Sequence, residues 1–396
     1  MAGALQGIKV IEVGLLIQGP QAAALLADMG ADVIKVELPG IGDQGRYIFL
    51  GDGDLRSAVF IGCNRGKRGL TLDLRHEQGA NIFKKLTETA DIVISNFKPG
   101  TLDEWGLGYE DLAAINPRII WAAGSTFGPV GPDAAREGAD LAGQSAGGLI
   151  STTGSDGDPP TPVGAFIADH IGSLNMVSGI LAALHSRHES GHGQRIEVSL
   201  VGGQIWAQAT EYTHYLLTGN IPGRSNFGHP LIPAAYRIFQ TADGWIGLIG
   251  LSAEAKDIFF ALVGRPEMAM DPRFDALLLS PEELKSLVGE LEPIFLERTT
   301  DEWCELLQEA GARFAPVRNY AEVVADEGVW ENDYFVEVKD DAGQSQRVVG
   351  TPIRMSETPL QPSAIAPDLG QHSEEILKEA GYSAADIEEF RTAGTV

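Results

Sequence analysis

The stretch AFIADHIGSLNM, residues 165–176, places a carboxylate, Asp169, where an apolar segment becomes amphipathic. Two roles are open to it. Asp favours helix N-caps, and Ile171, Leu174, Val177, Leu181 and Leu184 predict the apolar stripe of a helix that starts just after it. Capping does not exclude chemistry, because a helix N-terminus offers N–H donors and positive potential. A carboxylate kept ionised there, in a site poor in water, is a usable nucleophile.

Other chemistry-bearing patterns are weaker. Gly14 and Gly19 enclose four residues as in a phosphate loop, but Pro20 and Gln21 stand where Lys and Ser/Thr would hold phosphates and magnesium. Glu37 ends the second strand where a ribose-binding acid would sit, yet the preceding turn lacks the GxGxxG spacing. His185, His188 and His192 invite a metal reading, but Gly191 and Gly193 end the helix before the third, and no HExxH or acidic set completes a shell. No metal site is expected. The loop NRGKRG, Asn64 to Gly69, is the densest cationic segment of the N-terminal half.

These residues need elements to hold them. GIKVIEVGLLIQGPQAAALLADMGADVIKVE reads as strand, Gly/Pro loop, Ala/Leu-rich helix and strand, a βαβ unit. GLTLDL, DIVISNF and RIIWAAG continue the alternation, and QRIEVSL adds a later strand. The fold class expected is α/β, with a Rossmann-like open parallel sheet in a large domain and a smaller α/β domain. The large domain is placed at residues 1–200 and completed by 335–396, with a linker at 201–229 and the small domain at 230–325. Within the latter, AAYRIFQTADGWIGLIG predicts a hairpin turning at Asp243-Gly244.

Composition narrows the partners. A chain of 396 residues with 44% apolar content and formal charge −26 can bury real cores, and it lacks the cationic face that nucleic acid or anionic lipid requires. An anionic ligand must therefore meet a local basic pocket. Two distant cysteines, Cys63 and Cys304, indicate neither a disulfide framework nor a thiolate metal site and fit a reducing cytoplasm. No basic leader precedes a long apolar run, and no segment reaches about 18 uninterrupted apolar residues, so no membrane association is expected.

Taken in order, GADVIKVELPGIGD, NRGKRGLTLDL, DIVISNFKPGTLDEWGLGYEDLAAINPRIIWA, FIADHIGSLNMVSGILAALHSRHESGHGQRIEVSL and PDLGQHSEEILKEAGYS resemble the family III coenzyme A transferases nearly end to end. The resemblance implies CoA transfer from an acyl-CoA donor to a free carboxylic acid. Asp169 matches the catalytic aspartate that forms an aspartyl anhydride and then an aspartyl-CoA thioester. Gln18 matches a glutamine beside the reacting carbonyls, and Asp140 an acidic position near the nucleophile. Asn96 and Phe97 match the segment along the pantetheine arm, and Lys67 and Arg68 the basic loop near the nucleotide phosphates.

The same resemblance implies an interlocked homodimer and no cofactor beyond CoA itself, which enters as substrate. Two rivals remain. The related α-methylacyl-CoA racemases use a His/Asp pair from a Gly-His-Asp segment, which here reads GAD with Ala139 at the histidine's place. A non-catalytic CoA-binding protein would have no use for Asp169. GRSNFGHPLIPAAYRIF lacks the glycine run of the formyl-CoA transferases, and residues 137–139, Glu-Gly-Ala, depart from the common family pattern. The acid pair is therefore not readable, with short dicarboxylates expected from family habit alone.

Overall fold

The computed structural model describes residues 3–48, 57–276, 278–339, 343, 345–360 and 364–396. The chain divides into two compact units, one made of Met1–Gly147, Gly164–Ala207 and Asp326–Val396, the other of Gly148–Val163 and Gln208–Ala325. The 201–229 stretch read as linker is thus largely helical. It spans the point where the chain leaves the larger unit, after Ala207, and re-enters the smaller one at Gln208.

The larger unit is built on β1 (Lys9–Glu12), β2 (Asp32–Glu37), β3 (Arg68–Thr71), β4 (Ile92–Ser95), β5 (Ile120–Ser125) and β6 (Arg195–Ser199). All pair in parallel in the order β3-β2-β1-β4-β5-β6, the doubly wound arrangement expected from the alternating sequence. The strands stay parallel, but the order in which they are added reverses between β1 and β4. Loops leaving the carboxyl ends of those two strands therefore diverge and open a crevice.

Its helices are α1 (Gln18–Asp28), α2 (Ala58–Asn64), α3 (Glu77–Thr87), α4 (Thr101–Glu104), α5 (Tyr109–Ile115) and α6 (Asp140–Ala146). After α7 (Leu149–Thr152), which belongs to the other unit, come α8 (Ile167–Ser190) and α9 (Leu200–Ala207). Buried strands alternate their side chains between two cores. Ile92, Ile94, Ile120 and Ala122 meet Ala22, Ala23 and Leu26 of α1 and Met176 and Ile180 of α8. Val93 and Trp121 point the other way, into a core with Phe83 of α3 and Leu112 of α5.

The smaller unit continues with α10 (Ala209–Thr218), then β7 (Arg237–Gln240), β8 (Trp245–Gly250), α11 (Ala253–Leu262), α12 (Pro281–Phe295), α13 (Thr300–Glu309), β9 (Arg313–Pro316) and α14 (Tyr320–Ala325). β7, β8 and β9 form an antiparallel sheet, and residues 241–244 make the expected turn, with Gln240 facing Trp245. Phe239, Phe259, Phe260, Phe295 and Trp303 fill its core.

The chain then returns to the larger unit through α15 (Glu327–Glu331), the β10 (Phe335–Lys339) and β11 (Ser345–Val349) hairpin, α16 (Ser373–Glu379) and α17 (Ala384–Thr392). Ile376, Leu377, Ile387 and Phe390 join the core that holds Leu70 and Phe83.

Where the sheet reverses, the packing is ionic rather than apolar. Glu12, Lys35 and Lys67 have no exposed side-chain surface. Lys35 Nζ lies 3.3 Å from Glu12 and 2.9 Å from Asp43, while Lys67 Nζ is 3.0 Å from Glu12, 2.8 Å from the Pro20 carbonyl and 2.7 Å from Asn64 Oδ1. Burial opposes the charge on both lysines. For Lys35 the carboxylates of Glu12, Asp43 and Glu37 outweigh it and push its pKa up to about 12. For Lys67 burial prevails over Glu12, and the pKa falls to about 8. This network ties β1, β2, α2 and the start of α1 together. Among the described residues, replacing Glu12 by Ala removes the carboxylate paired with Lys67 and one of two paired with Lys35. A loss of about 3–5 kcal/mol in unfolding free energy is expected, read from urea denaturation.

Candidate active site

The loop leaving β1 delivers Gln18. Its path is held by side chains from elsewhere: Asn96, just past β4, accepts the Leu15 N–H at 2.7 Å and donates to the Leu15 carbonyl at 2.8 Å, and Asp43 accepts from Leu16 N at 3.0 Å. Leu16 adopts φ 63°, rare for a branched residue and sustained by these contacts. Gln18 then opens α1 with its side chain buried, and its amide nitrogen has no hydrogen-bond partner among the described residues. The amide fits because two neighbours lack side chains. A Cβ on Gly124 of β5 would stand 2.2 Å from Oε1, and one on Gly172 of α8 would stand 2.6 Å from Nε2. A buried donor left unbonded is costly, so it marks a place where another acceptor completes the bond.

Asp169 lies on the first turn of α8, three residues before the Gly172 against which this amide rests. The Ser173 hydroxyl ties the two segments, donating to the Gln18 carbonyl at 2.7 Å and the Asp169 carbonyl at 2.9 Å. Asp169 is not the N-cap. Ile167 is the first helical residue, and the capping carboxylate comes from another helix: Asp140 Oδ1 accepts from Ala168 N at 2.7 Å and Asp169 N at 3.3 Å. Asp140 is buried and in turn accepts from Gln144 Nε2 at 2.6 Å. Capping was the local pattern's simplest reading; α6 performs it, and the Asp169 carboxylate receives no hydrogen bond from any described residue. Burial, with the Asp140 charge adding to it, pushes the Asp169 pKa up to about 7.

Neighbouring groups extend the site. His170 meets the Gln21 side-chain oxygen through Nδ1, and burial lowers its pKa, which keeps the imidazole neutral. Nothing in the sequence marked Gln21 or Gln144, whose significance lies in partners 149 and 4 residues away. Ala139, where a second proton-transfer base would stand for racemisation, precedes α6 and carries no titratable group.

The expected phosphate contacts look different in place. Lys67 is sealed in the Glu12 network. Arg68, on β3, pairs with Asp32 at 2.7 Å, Glu375 at 3.0 Å and Glu379 at 2.9 Å. Both cations are committed to carboxylates of the chain, so these contacts lend no support to a phosphate role. Phe97 packs edge-on to Trp105 and lines a groove of about 240 Å³ at the carboxyl ends of β1–β3, with Val13, Leu15, Leu72 and Arg75. The Arg75 guanidinium is more than half exposed and pairs with Asp73 at 2.6 Å. Arg75 escaped the sequence reading because it stands alone, outside the basic run. Among the described residues, no cluster of histidine, cysteine or acidic side chains is placed to hold a metal.

α8 passes the length and apolarity test for a membrane-crossing helix, with 39% of that window buried. Its buried face overlaps the predicted stripe only in part, at Val177 and at Leu184, which packs against the core. Ala168, Gly172, Met176, Val177, Ile180 and Ala183 turn inward, whereas Leu174 and Leu181 are exposed, because small residues let α8 approach α1 closely.

Comparison with known proteins agrees with this architecture. The family described as CoA-transferase family III matches residues 5–373. A succinyl-CoA–D-citramalate CoA-transferase of Chloroflexus aurantiacus is 35% identical over 95% of this chain and 93% of its own. A succinate–glutarate CoA-transferase of Agrobacterium fabrum is 34% identical over 95% of both. The crystal structure of a CAIB/BAIF family protein from Brucella suis superposes with a TM-score of 0.85 at 33% identity, covering 96% of this chain and all of that one. A family match over residues 5–373, together with relatives above 30% identity along nearly the whole chain, makes this doubly wound chain a member of CoA-transferase family III, an acyl-CoA:carboxylate CoA-transferase.

Proposed function

We propose that the chain transfers CoA between carboxylic acids through covalent intermediates on Asp169. The carrying observation is that the partly buried Asp169 carboxylate receives no hydrogen bond from any described residue, while Asp140 beside it is spent on capping. One Asp169 oxygen attacks the donor thioester carbonyl, the C–S bond breaks, and an aspartyl–acyl anhydride and CoA thiolate form. The thiolate then attacks the aspartyl carbonyl of the anhydride, releasing the donor acid and leaving an aspartyl-CoA thioester. The acceptor carboxylate attacks that thioester and expels the thiolate, giving a second anhydride. The thiolate returns to the acceptor's acyl carbon, restoring the Asp169 carboxylate and releasing the new acyl-CoA.

Each tetrahedral intermediate carries an oxyanion, and the unbonded Gln18 amide is the donor proposed to receive it. Desolvation raises the basicity and nucleophilicity of Asp169 while leaving it ionised above about pH 7. The groove rimmed by Arg75 is the place we assign to the nucleotide end of CoA, with Phe97 along the pantetheine arm and Asn96 acting through the Leu15 loop. CoA enters as substrate and no other cofactor is invoked. The relatives named for succinyl-CoA point to short dicarboxylic acids as donor and acceptor. Exposed Leu174, Leu181, Ile205 and Trp206 on α8 and α9 support a homodimer, proposed as interlocked. Two unpaired cysteines fit a cytoplasmic setting.

Incubation with succinyl-CoA followed by hydroxylamine should leave a hydroxamate on the peptide carrying Asp169, detected by mass spectrometry; modification elsewhere, or none with any acyl-CoA, defeats the assignment. Asp169→Ala should lose transfer by roughly three orders of magnitude or more in a CoA-exchange assay while remaining folded.

The linkage sign adds a test without substrate. The folded pKa of Asp169 is raised, so its contribution to stability is fully present below about pH 4 and is lost as pH rises through about 7. Asp169→Asn should therefore match the wild type near pH 4 and be the more stable protein above pH 7, in paired denaturant titrations. Light scattering at micromolar concentration should return twice the chain mass, and a monomer mass would remove the dimer.

A further inference from the structure

The smaller unit holds a cleft of its own, about 230 Å³ in volume, bounded by the segment before β7, by β7 itself and by Leu284 of α12. Arg237, the first residue of β7, faces it with only 15% of its side chain exposed. Among the described residues the buried Nε has no hydrogen-bond partner, and one acid, Glu292, comes within ion-pair reach, 3.8 Å from Nη2 and more than half exposed. Its other neighbours are the rings of Phe227 and Phe239, with centroids 5.7 and 5.6 Å from the guanidinium carbon. Burial lowers the Arg237 pKa, with Glu292 opposing only in part. A guanidinium withdrawn from water and given no acceptor is costly unless an anion completes it.

A second cation lines the same cleft. Arg224 donates to the carbonyls of Ser155 at 2.9 Å and Pro159 at 3.2 Å, and no described carboxylate lies within ion-pair reach of it. Against these two charges the lining sets Asp156, whose carboxylate accepts from Asn226 at 2.9 Å. His229 is held as a donor to Glu211 at 3.0 Å, since its Nδ1 accepts from Leu231 N. The backbone is strained here, with Asn226 at φ 46° and Phe227 at φ 68°. That strain sets the Phe227 ring between Arg237 and Trp245, on which it stacks at 5.9 Å.

We propose that this cleft binds the carboxylate of a small organic acid, with Arg237 as its receptor and Arg224 as the second cation. A guanidinium presents a planar fork that matches a carboxylate, and Pro230, Ile232, Pro233 and Leu284 supply walls for a carbon chain that an inorganic anion lacks. In a chain of net charge −26, Arg224 with no acid in ion-pair reach among the described residues and Arg237 with only the long Glu292 contact form the local basic pocket that an anionic ligand requires. The site needs neither CoA nor Asp169, so it stands apart from the transfer chemistry.

The test is calorimetric titration of succinate into the full chain with no acyl-CoA present. Saturable binding is expected, at least tenfold weaker in Arg237→Met, intermediate in Arg237→Lys and unchanged in Asp169→Ala. Leu284→Glu, which keeps Arg237 and places a rival carboxylate in the cleft, should weaken binding as Arg237→Met does, with circular dichroism confirming that each variant folds. Absence of saturable binding, equal affinity in Arg237→Met, or loss in Asp169→Ala alone overturns the proposal. Inorganic phosphate binding as tightly as succinate overturns it too, since the site would then recognise charge and not an organic acid.

Discussion

Glu12 is the acid on which the geometry of the larger unit turns. It sits with no exposed surface at the carboxyl end of β1, between two ammonium groups that are equally sealed. Each ammonium brings a different part of the chain: Lys35 the neighbouring strand and, through Asp43, the loop beyond it, and Lys67 the turn before β3. Unpaired, any of these charges in that interior would cost several kcal/mol. Their pairing consequently admits few alternative placements of the β1 loop. Asn96 and Asp43 complete the constraint on Leu15 and Leu16, and Gln18 is delivered with its amide pointing where the chain has no acceptor.

A division of labour between two neighbouring acids follows from the same logic. A helix N-terminus needs an acceptor, and a nucleophile needs its lone pairs free, so one carboxylate cannot serve both purposes well. Asp140 satisfies the N–H groups at the start of α8 from another helix and is steadied by Gln144. Asp169 is thereby released from capping and left partly desolvated, with its pKa pushed up to about 7. The small residues of α8 and α1 let the two helices close on each other, and Gly124 and Gly172 leave the room that the Gln18 amide takes up.

Charge is handled differently in the smaller unit. In the larger one, Lys35, Lys67 and Arg68 each meet acids of the chain itself. Arg237 is instead set among aromatic rings with Glu292 at arm's length, and the backbone around Phe227 is held in an unfavourable conformation to keep it so. Positive potential retained in this way is available to something outside the chain.

Read alone, the sequence determined the alternation of strands and helices, the Rossmann-like sheet, the hairpin at Asp243-Gly244, and Asp169 and Gln18 as residues worth watching. The elements and Asp169 follow from local periodicity, turn chemistry and the rarity of an acid inside an apolar run, all of which are local in the chain, whereas Gln18 stands out only through the family resemblance. Tertiary structure decided who partners whom. Lys67 and Arg68 look alike in NRGKRG, yet one is buried against Glu12, 55 residues away, and the other reaches Glu379, 311 residues away. Asp169 looked like a cap until Asp140, 29 residues earlier, proved to hold the N–H groups. The stripe predicted to be buried on α8 faces partly outward because close helix packing selects small residues rather than large apolar ones. Pairing and burial depend on which residues of distant segments meet, and a linear pattern carries no record of that.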